Sequence, residues 1–160
     1  MSLEQPIYDQ VLAGTPLRAL VINGFAGYCG YIGVPEEHCL ADMDGLTFQC
    51  HGDITFRGHG DGDLRPEGWY WYGWDYQHLG CDKLNYQDGG VQELLPPELA
   101  KLLEQANRGT KEWTVPEIEQ DLMDVAMELW DALKVAEKVA CAAVDVASRK
   151  SSPTDDGPGL

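Results

Sequence analysis

The chain has 160 residues with 11 basic and 27 acidic side chains, a formal net charge of −16. That balance excludes grip on nucleic acid by phosphate neutralisation, and it disfavours anionic membranes, since both need a basic surface. Hydrophobic residues at 44 % and charged residues at 24 % are those of a globular domain rather than a disordered acidic tail. No apolar run reaches the ~20 residues of a spanning helix. The start of the chain lacks the basic and apolar stretches of a signal peptide, so a cytoplasmic address is expected. Cysteines 29, 39, 50, 81 and 141 are odd in number and form no C-x-x-C pair, which points to reduced thiols rather than a disulfide framework.

The first hundred residues hold 15 acidic and 4 basic side chains and 15 of the 18 glycines. Strand candidates come first. Residues 17–23 (LRALVIN) end at the turn dipeptide Asn23-Gly24, and 29–34 are stopped by Pro35, which cannot donate to a ladder. Residues 46–51 and 54–57 flank Gly52-Asp53, the pattern of a hairpin with glycine first in its loop. The glycine- and acid-rich stretch 58–68 reads as an exposed loop carrying Asp61 and Asp63. It resembles half of a calcium loop but lacks the later ligands. Residues 69–76 (WYWYGWDY) form an aromatic strand. Alternation places Trp69, Trp71 and Gly73 on one face and Tyr70, Tyr72, Trp74 and Tyr76 on the other.

Near Pro96-Pro97 the pattern turns helical. Residues 97–107 read as a short helix stopped by Arg108-Gly109. Thr114-x-x-Glu117 is a capping box with Pro116 in the first turn. Apolar residues then recur at 118, 122, 125, 129, 133, 136, 140, 143 and 147, predicting a helix of some 33 residues. Such a helix runs about 50 Å and needs something to pack on. Its first half would lie on the sheet. Its remainder would fold against the short helix or kink, or pair with a second copy through Ala136, Ala140, Ala143 and Ala147. The expected protein is α+β: an N-terminal antiparallel sheet of four to five strands followed by one short and one long helix. Its parts are an acidic β-rich subdomain over 1–95, a helical part over 96–150 packed on it, and a disordered tail over 151–160.

Candidate chemistry sits in the β-like region. His51 with Asp75-x-x-His78-x-x-x-Asp82 combines imidazole and carboxylate, a donor set that suits Zn²⁺, Mn²⁺ or Fe²⁺ and would activate a water for hydrolysis. Cys50-His51, His38-Cys39 and His78-x-x-Cys81 offer a mixed Cys/His zinc site without the usual spacing. Serine occurs only at 2, 148, 151 and 152, which excludes a serine nucleophile, and a cysteine nucleophile beside His51 or His78 stays open. Neither a P-loop nor a dinucleotide-binding glycine pattern is present, so no organic cofactor is expected and a divalent metal is the alternative. The second face of the aromatic strand (Tyr70, Tyr72, Trp74, Tyr76), rimmed by Asp61 and Asp63, reads as a surface for a basic protein or a stacked nucleobase, or else as core.

Three motifs in order carry a resemblance. Gly30-Tyr31-Ile32-Gly33-Val34-Pro35-x-x-His38, His51-Gly52-x-Ile54-Thr55-Phe56 and Trp71-Tyr72-Gly73-Trp74-Asp75-x-x-His78-x-x-x-Asp82 resemble a group of small proteins encoded by bacteriophages and bacterial genomes. Members of that group carry G-Y-V-G-V-P-x-x-H, H-G-G-L-T-Y and W-x-G-F-D-x-x-H. The resemblance spans residues 27–82, and the chain departs from it at Asp53, where the group has glycine, and in its longer helical part. It implies a phage or mobile-element setting. There, acidic proteins occupy the basic surfaces of host nucleic-acid-handling or defence proteins by electrostatic steering. The leading expectation is therefore a non-enzymatic acidic inhibitor of such a host protein, in the host cytoplasm. The alternatives are a metal-dependent hydrolase of a phosphoester or nucleotide, and a nucleotide-capturing protein.

Overall fold

The computed structural model describes residues 4–24, 26–84 and 94–151. The fold is α+β: a five-stranded antiparallel sheet followed by a short and a long helix. The strands are β1 (Gln5–Val11), β2 (Arg18–Asn23), β3 (Tyr28–Pro35), β4 (Phe56–His59) and β5 (Trp69–Asp75). The helices are α1 (Pro97–Ala106) and α2 (Val115–Lys150). In space the strands run β1-β2-β3-β5-β4, so β5 inserts between β3 and β4.

The register explains the glycines. Gly30 lies opposite Trp74, Tyr31 opposite Gly73, and Gly33 opposite Trp71. A glycine with no Cβ leaves room for a ring to lie across its neighbour. A Cβ on Gly73 would meet the Tyr31 ring at 2.4 Å, and one on Gly33 would meet Trp71 at 2.8 Å. Gly73→Ala is expected to cost about 1–3 kcal/mol by overpacking. Urea unfolding should show a lower midpoint at an unchanged slope.

Both faces of the aromatic strand are core, which corrects the expectation of an open binding face. Tyr70, Tyr72, Trp74 and Tyr76 are all buried. Three things cover them. Phe48 packs edge-on against Tyr72 and Trp74. The Tyr72 hydroxyl donates to the Leu40 carbonyl and accepts the Met43 N–H. The first turns of α2 supply Leu122, which closes on Gly30, and Asp121, which accepts the Tyr76 hydroxyl. The opposite face gathers Leu20, Ile22, Tyr31 and Trp71. There the β4–β5 loop folds back: Trp71 Nε1 donates to the Pro66 carbonyl, and the Arg65 guanidinium lies 4.3 Å from the Phe56 ring centroid. Asp61 belongs to that scaffold. It accepts the N–H groups of Asp63, Leu64 and Arg65 and pairs with Arg65 at 2.6 Å, so its charge is spent inside the loop. Asp63 stays on the exposed loop.

Two further expectations differ. Residues 46–51 form no strand: apart from an isolated Cys50–Gly52 bridge the segment is irregular, and β4 pairs with β5 instead of closing a hairpin at Gly52-Asp53. Strand β1 was not read from sequence. It is an edge strand whose polar side chains are mostly exposed and whose register slips between Pro6 and Tyr8, so it carries little alternation.

The capping box forms as read: Thr114 N–H donates to Glu117 Oε2 at 3.0 Å, and Glu117 N–H returns to Thr114 Oγ1 at 3.4 Å. By internal contacts the chain separates into residues 1–126 and 127–160. The division therefore falls inside α2 rather than near residue 95, because α1 and the first turns of α2 belong with the sheet. The first unit holds the core. In the second, every described residue from 134 onward is exposed. The tail expected over 151–160 lies, beyond Ser151, outside the described residues.

Candidate functional site

The site is built at the end of β5. There Tyr76 N–H makes the last sheet-like bond, to the Tyr28 carbonyl, and the chain turns away. Asp75 caps the turn by accepting the Gln77 N–H at 3.1 Å. The next turn closes when the N–H groups of Cys81 and Asp82 both donate to the His78 carbonyl. It is then pinned to the segment preceding α2: Lys83 N–H donates to the Lys111 carbonyl, and Lys111 N–H donates to the Cys81 carbonyl. From the other side the 50–53 turn delivers His51, with Gly52 at φ +72°.

Asp82 is the hub. It is 2 % exposed, yet its carboxylate takes five contacts. Oδ1 accepts Trp113 Nε1 at 2.8 Å and His51 Nε2 at 3.0 Å. Oδ2 accepts His51 Nε2 at 2.8 Å, His78 Nδ1 at 2.7 Å and the His78 backbone N–H at 2.9 Å. Burial alone would raise this carboxyl, but the hydrogen bonds from His51, the His78 backbone, Trp113 and the His78 ring outweigh it and hold it at about 2. An ionised carboxylate only accepts, so His51 carries a proton on Nε2 and His78 one on Nδ1.

The rings around the hub are ordered. His51 stacks on Tyr76 with centroids 5.0 Å apart and planes 4° apart, and it meets His78 and Trp113 edge-on at 4.9 and 5.0 Å. The Tyr76 hydroxyl accepts Trp74 Nε1 at 3.0 Å and donates to Asp121 at 2.5 Å. Burial and the Asp121 carboxylate push that phenol up, so it stays a protonated donor. The Lys111 ammonium lies 3.9 Å from the Trp113 ring centroid, placing a cation on the outer side of the cluster.

Of the residues singled out in the sequence, His51, His78 and Asp82 come together, each offering one ligand atom within 4.8 Å of the others. Asp75 does not join them, because its carboxylate is engaged in its own turn. Among the described residues no cysteine joins the group either. Cys50, next to His51, bonds weakly to the Gly52 carbonyl. Burial first, then the Asp53 and Asp121 carboxylates, push its thiol up to about 11, which removes the thiolate that a nucleophile needs. His38 turns back on the Leu40 N–H, and His59 pairs with Glu36. Trp113, Asp121 and Gly52 were not found from the sequence. The one signal for Trp113 is its place before the Thr114 cap, where an apolar residue pairs in pattern with Ile118 four positions into the helix.

No protein-family model, curated protein or solved structure matches the chain. Among the described residues no helix is long and apolar enough to cross a membrane.

Proposed function

We propose that this protein is a divalent-metal-dependent hydrolase of a phosphoester or nucleotide, with His51, His78 and Asp82 as the metal ligands. The observation that carries the reading is the convergence of two imidazole nitrogens and a carboxylate oxygen from two separate turns within 4.8 Å. Two histidines and one carboxylate form the donor set of a hydrolytic zinc site, which keeps a position open for water. Ligand atoms around a tetrahedral ion with ~2.0–2.2 Å bonds lie a little over 3 Å apart. The two histidine–carboxylate contacts of 2.8 and 2.7 Å would open by roughly half an ångström or a little more to take such an ion, with the two imidazole nitrogens already within 4.8 Å of each other. A bound cation would be held by His51 Nε2 and His78 Nδ1 as neutral imidazoles, each ring carrying its N–H on its other nitrogen, and by the Asp82 carboxylate, and it would lower the pKa of a coordinated water. Lys111, over the Trp113 ring, is the cation nearest the cluster among the described residues and also pairs with Glu117 at 3.6 Å. Both histidines fall inside the motifs that carry the resemblance to phage-encoded proteins.

The test is metal content and binding in protein purified without chelators. Near one equivalent of metal per chain is expected, and Zn²⁺ added to the metal-free protein should bind with a stoichiometry of one by titration calorimetry. His78→Ala, at a part-exposed position, should remove binding while leaving the fold, and hydrolysis of a phosphodiester such as bis-p-nitrophenyl phosphate should depend on the metal. Failure of Zn²⁺, Mn²⁺ and Fe²⁺ alike to bind would end the proposal. A second reading, the acidic inhibitor of a basic host protein, is favoured by one observation: Glu37, Asp44, Asp53, Asp63 and Glu67 form no ion pair with any described residue. It would show as a salt-sensitive complex weakened by charge reversal at those positions and indifferent to His78→Ala.

A further inference from the structure

We propose that the distal part of α2 is the seam of an antiparallel homodimer, centred on Ala140. This inference is independent of the metal site. Seventeen consecutive residues, 134–150, are all exposed, and they include Val135, Val139, Val144 and Val146 at 52 to 64 % exposure. A helix of that length gains little stability alone in water, and β-branched valines lower its propensity further. Leu133 and four of its alanines nevertheless share one side, with Val135 lying off it. Leu133, Ala136, Ala140, Ala143 and Ala147 recur at spacings of 3, 4, 3 and 4, with Val139 and Val146 along one margin and Val144 along the other. Lys134, Lys138, Asp145 and Arg149 occupy the opposite side. Alanine at the centre lets two backbones approach closely, and valine at the margins closes the seam.

Charge chooses the occupant and its direction. From 117 to 131 the helix carries six carboxylates (Glu117, Glu119, Asp121, Asp124, Glu128, Asp131) and no cation. From 134 to 150 it carries four cations (Lys134, Lys138, Arg149, Lys150) against Glu137 and Asp145. A second copy running antiparallel about Ala140 brings Lys150 beside Glu128 of its mate, on the margin that carries Val139 and Val146, at both ends at once. A parallel pair would set acid against acid and base against base, which is destabilising. The same symmetry puts Val139 against Val139 across the dyad and leaves Cys141 on the outer side.

Sedimentation equilibrium of the full chain should give twice the 17.7 kDa monomer mass at micromolar concentration. Ala140→Glu, which buries a charge at the centre, should raise the dissociation constant on the order of a hundredfold. The near-ultraviolet signal of the buried tryptophans of residues 1–126 should stay unchanged in that variant, because residue 140 lies outside that unit. In a Cys141→Ser background, Val139→Cys should cross-link two chains on mild oxidation. A monomer at 100 μM, or a dimer that ignores Ala140→Glu and leaves Val139→Cys reduced, would overturn the proposal. A vesicle-binding chain that stays monomeric in solution would overturn it as well.

Discussion

Asp82→Ala is expected to lower the unfolding free energy by about 3–5 kcal/mol, the range for removing one partner of a buried charged network. The carboxylate is 2 % exposed and receives Trp113 Nε1, His51 Nε2, His78 Nδ1 and the His78 N–H. Alanine leaves all four donors without their acceptor; an unsatisfied donor costs about 1–3 kcal/mol when buried, and the part-buried His51, His78 and Trp113 fall toward the low end. Three connections would loosen together: the 50–53 turn, the 76–84 turn and the segment before α2. Urea unfolding measures the loss, and a cost below about 1 kcal/mol would mean that solvent or backbone replaces the carboxylate and that it is not the hub. The same group makes a pH prediction. Its native pKa is held at about 2, while an unfolded aspartate titrates near 3.9. Between those values the unfolded chain binds more protons, so stability rises with pH across the window. The contribution, roughly 2–3 kcal/mol, is complete above pH 4 and is lost as pH falls through 2. Asp82→Asn should flatten that part of the acid-unfolding curve, whereas Asp63→Asn, on the exposed loop, should leave it unchanged.

What could be read before the structure depended on how local each interaction is. The capping box Thr114–Glu117 and the apolar spacing of α2 are decided within a few residues, and both are found as read. Strands β2, β3 and β5 were legible because they are buried and apolar or aromatic along their length. The hairpin at Gly52-Asp53 was a sound local reading, but partner choice is not local. β5 offers β4 an edge, while Phe48 is drawn onto Tyr72 and Trp74 and cannot also serve in a strand. Alternation correctly sorted Tyr70, Tyr72 and Trp74 from Trp69 and Trp71. It could not say that residues 40–48 and the first turns of α2 would cover that face.

The site divides in the same way. His78 and Asp82 stand four residues apart and meet through one turn, so their spacing carried information. His51 and Trp113 each lie 31 residues from Asp82, where only the folded chain decides proximity. Asp75 matched the chemistry but not the geometry, since a carboxylate on the last residue of its strand is used first to cap the turn that follows. Carboxylates in this chain thus hold loops before they offer charge. Asp61 and Asp75 show the same pattern, which weakens any functional reading drawn from net charge alone.

Gly52→Ala is the substitution that separates a binding site from a structural knot. Gly52 has φ +72°, and a Cβ there would lie 2.5 Å from His78 Nε2 and 2.7 Å from Cε1. Two costs follow: left-handed backbone strain of roughly 1–2 kcal/mol, and displacement of the His78 ring from its 2.7 Å contact with Asp82. Gly45→Ala supplies the control, because Gly45 has φ +78° and nothing within 4 Å of the added methyl. Both variants should lose a similar increment of stability from backbone strain. Only Gly52→Ala should weaken Zn²⁺ binding, by about 10- to 100-fold, the loss seen when groups that orient metal ligands are disturbed. Titration calorimetry on the two variants and the parent reads the difference directly. Equal affinities in all three would show that His78 does not bind the metal, and would leave Asp82 with the single task of holding two turns to the start of α2.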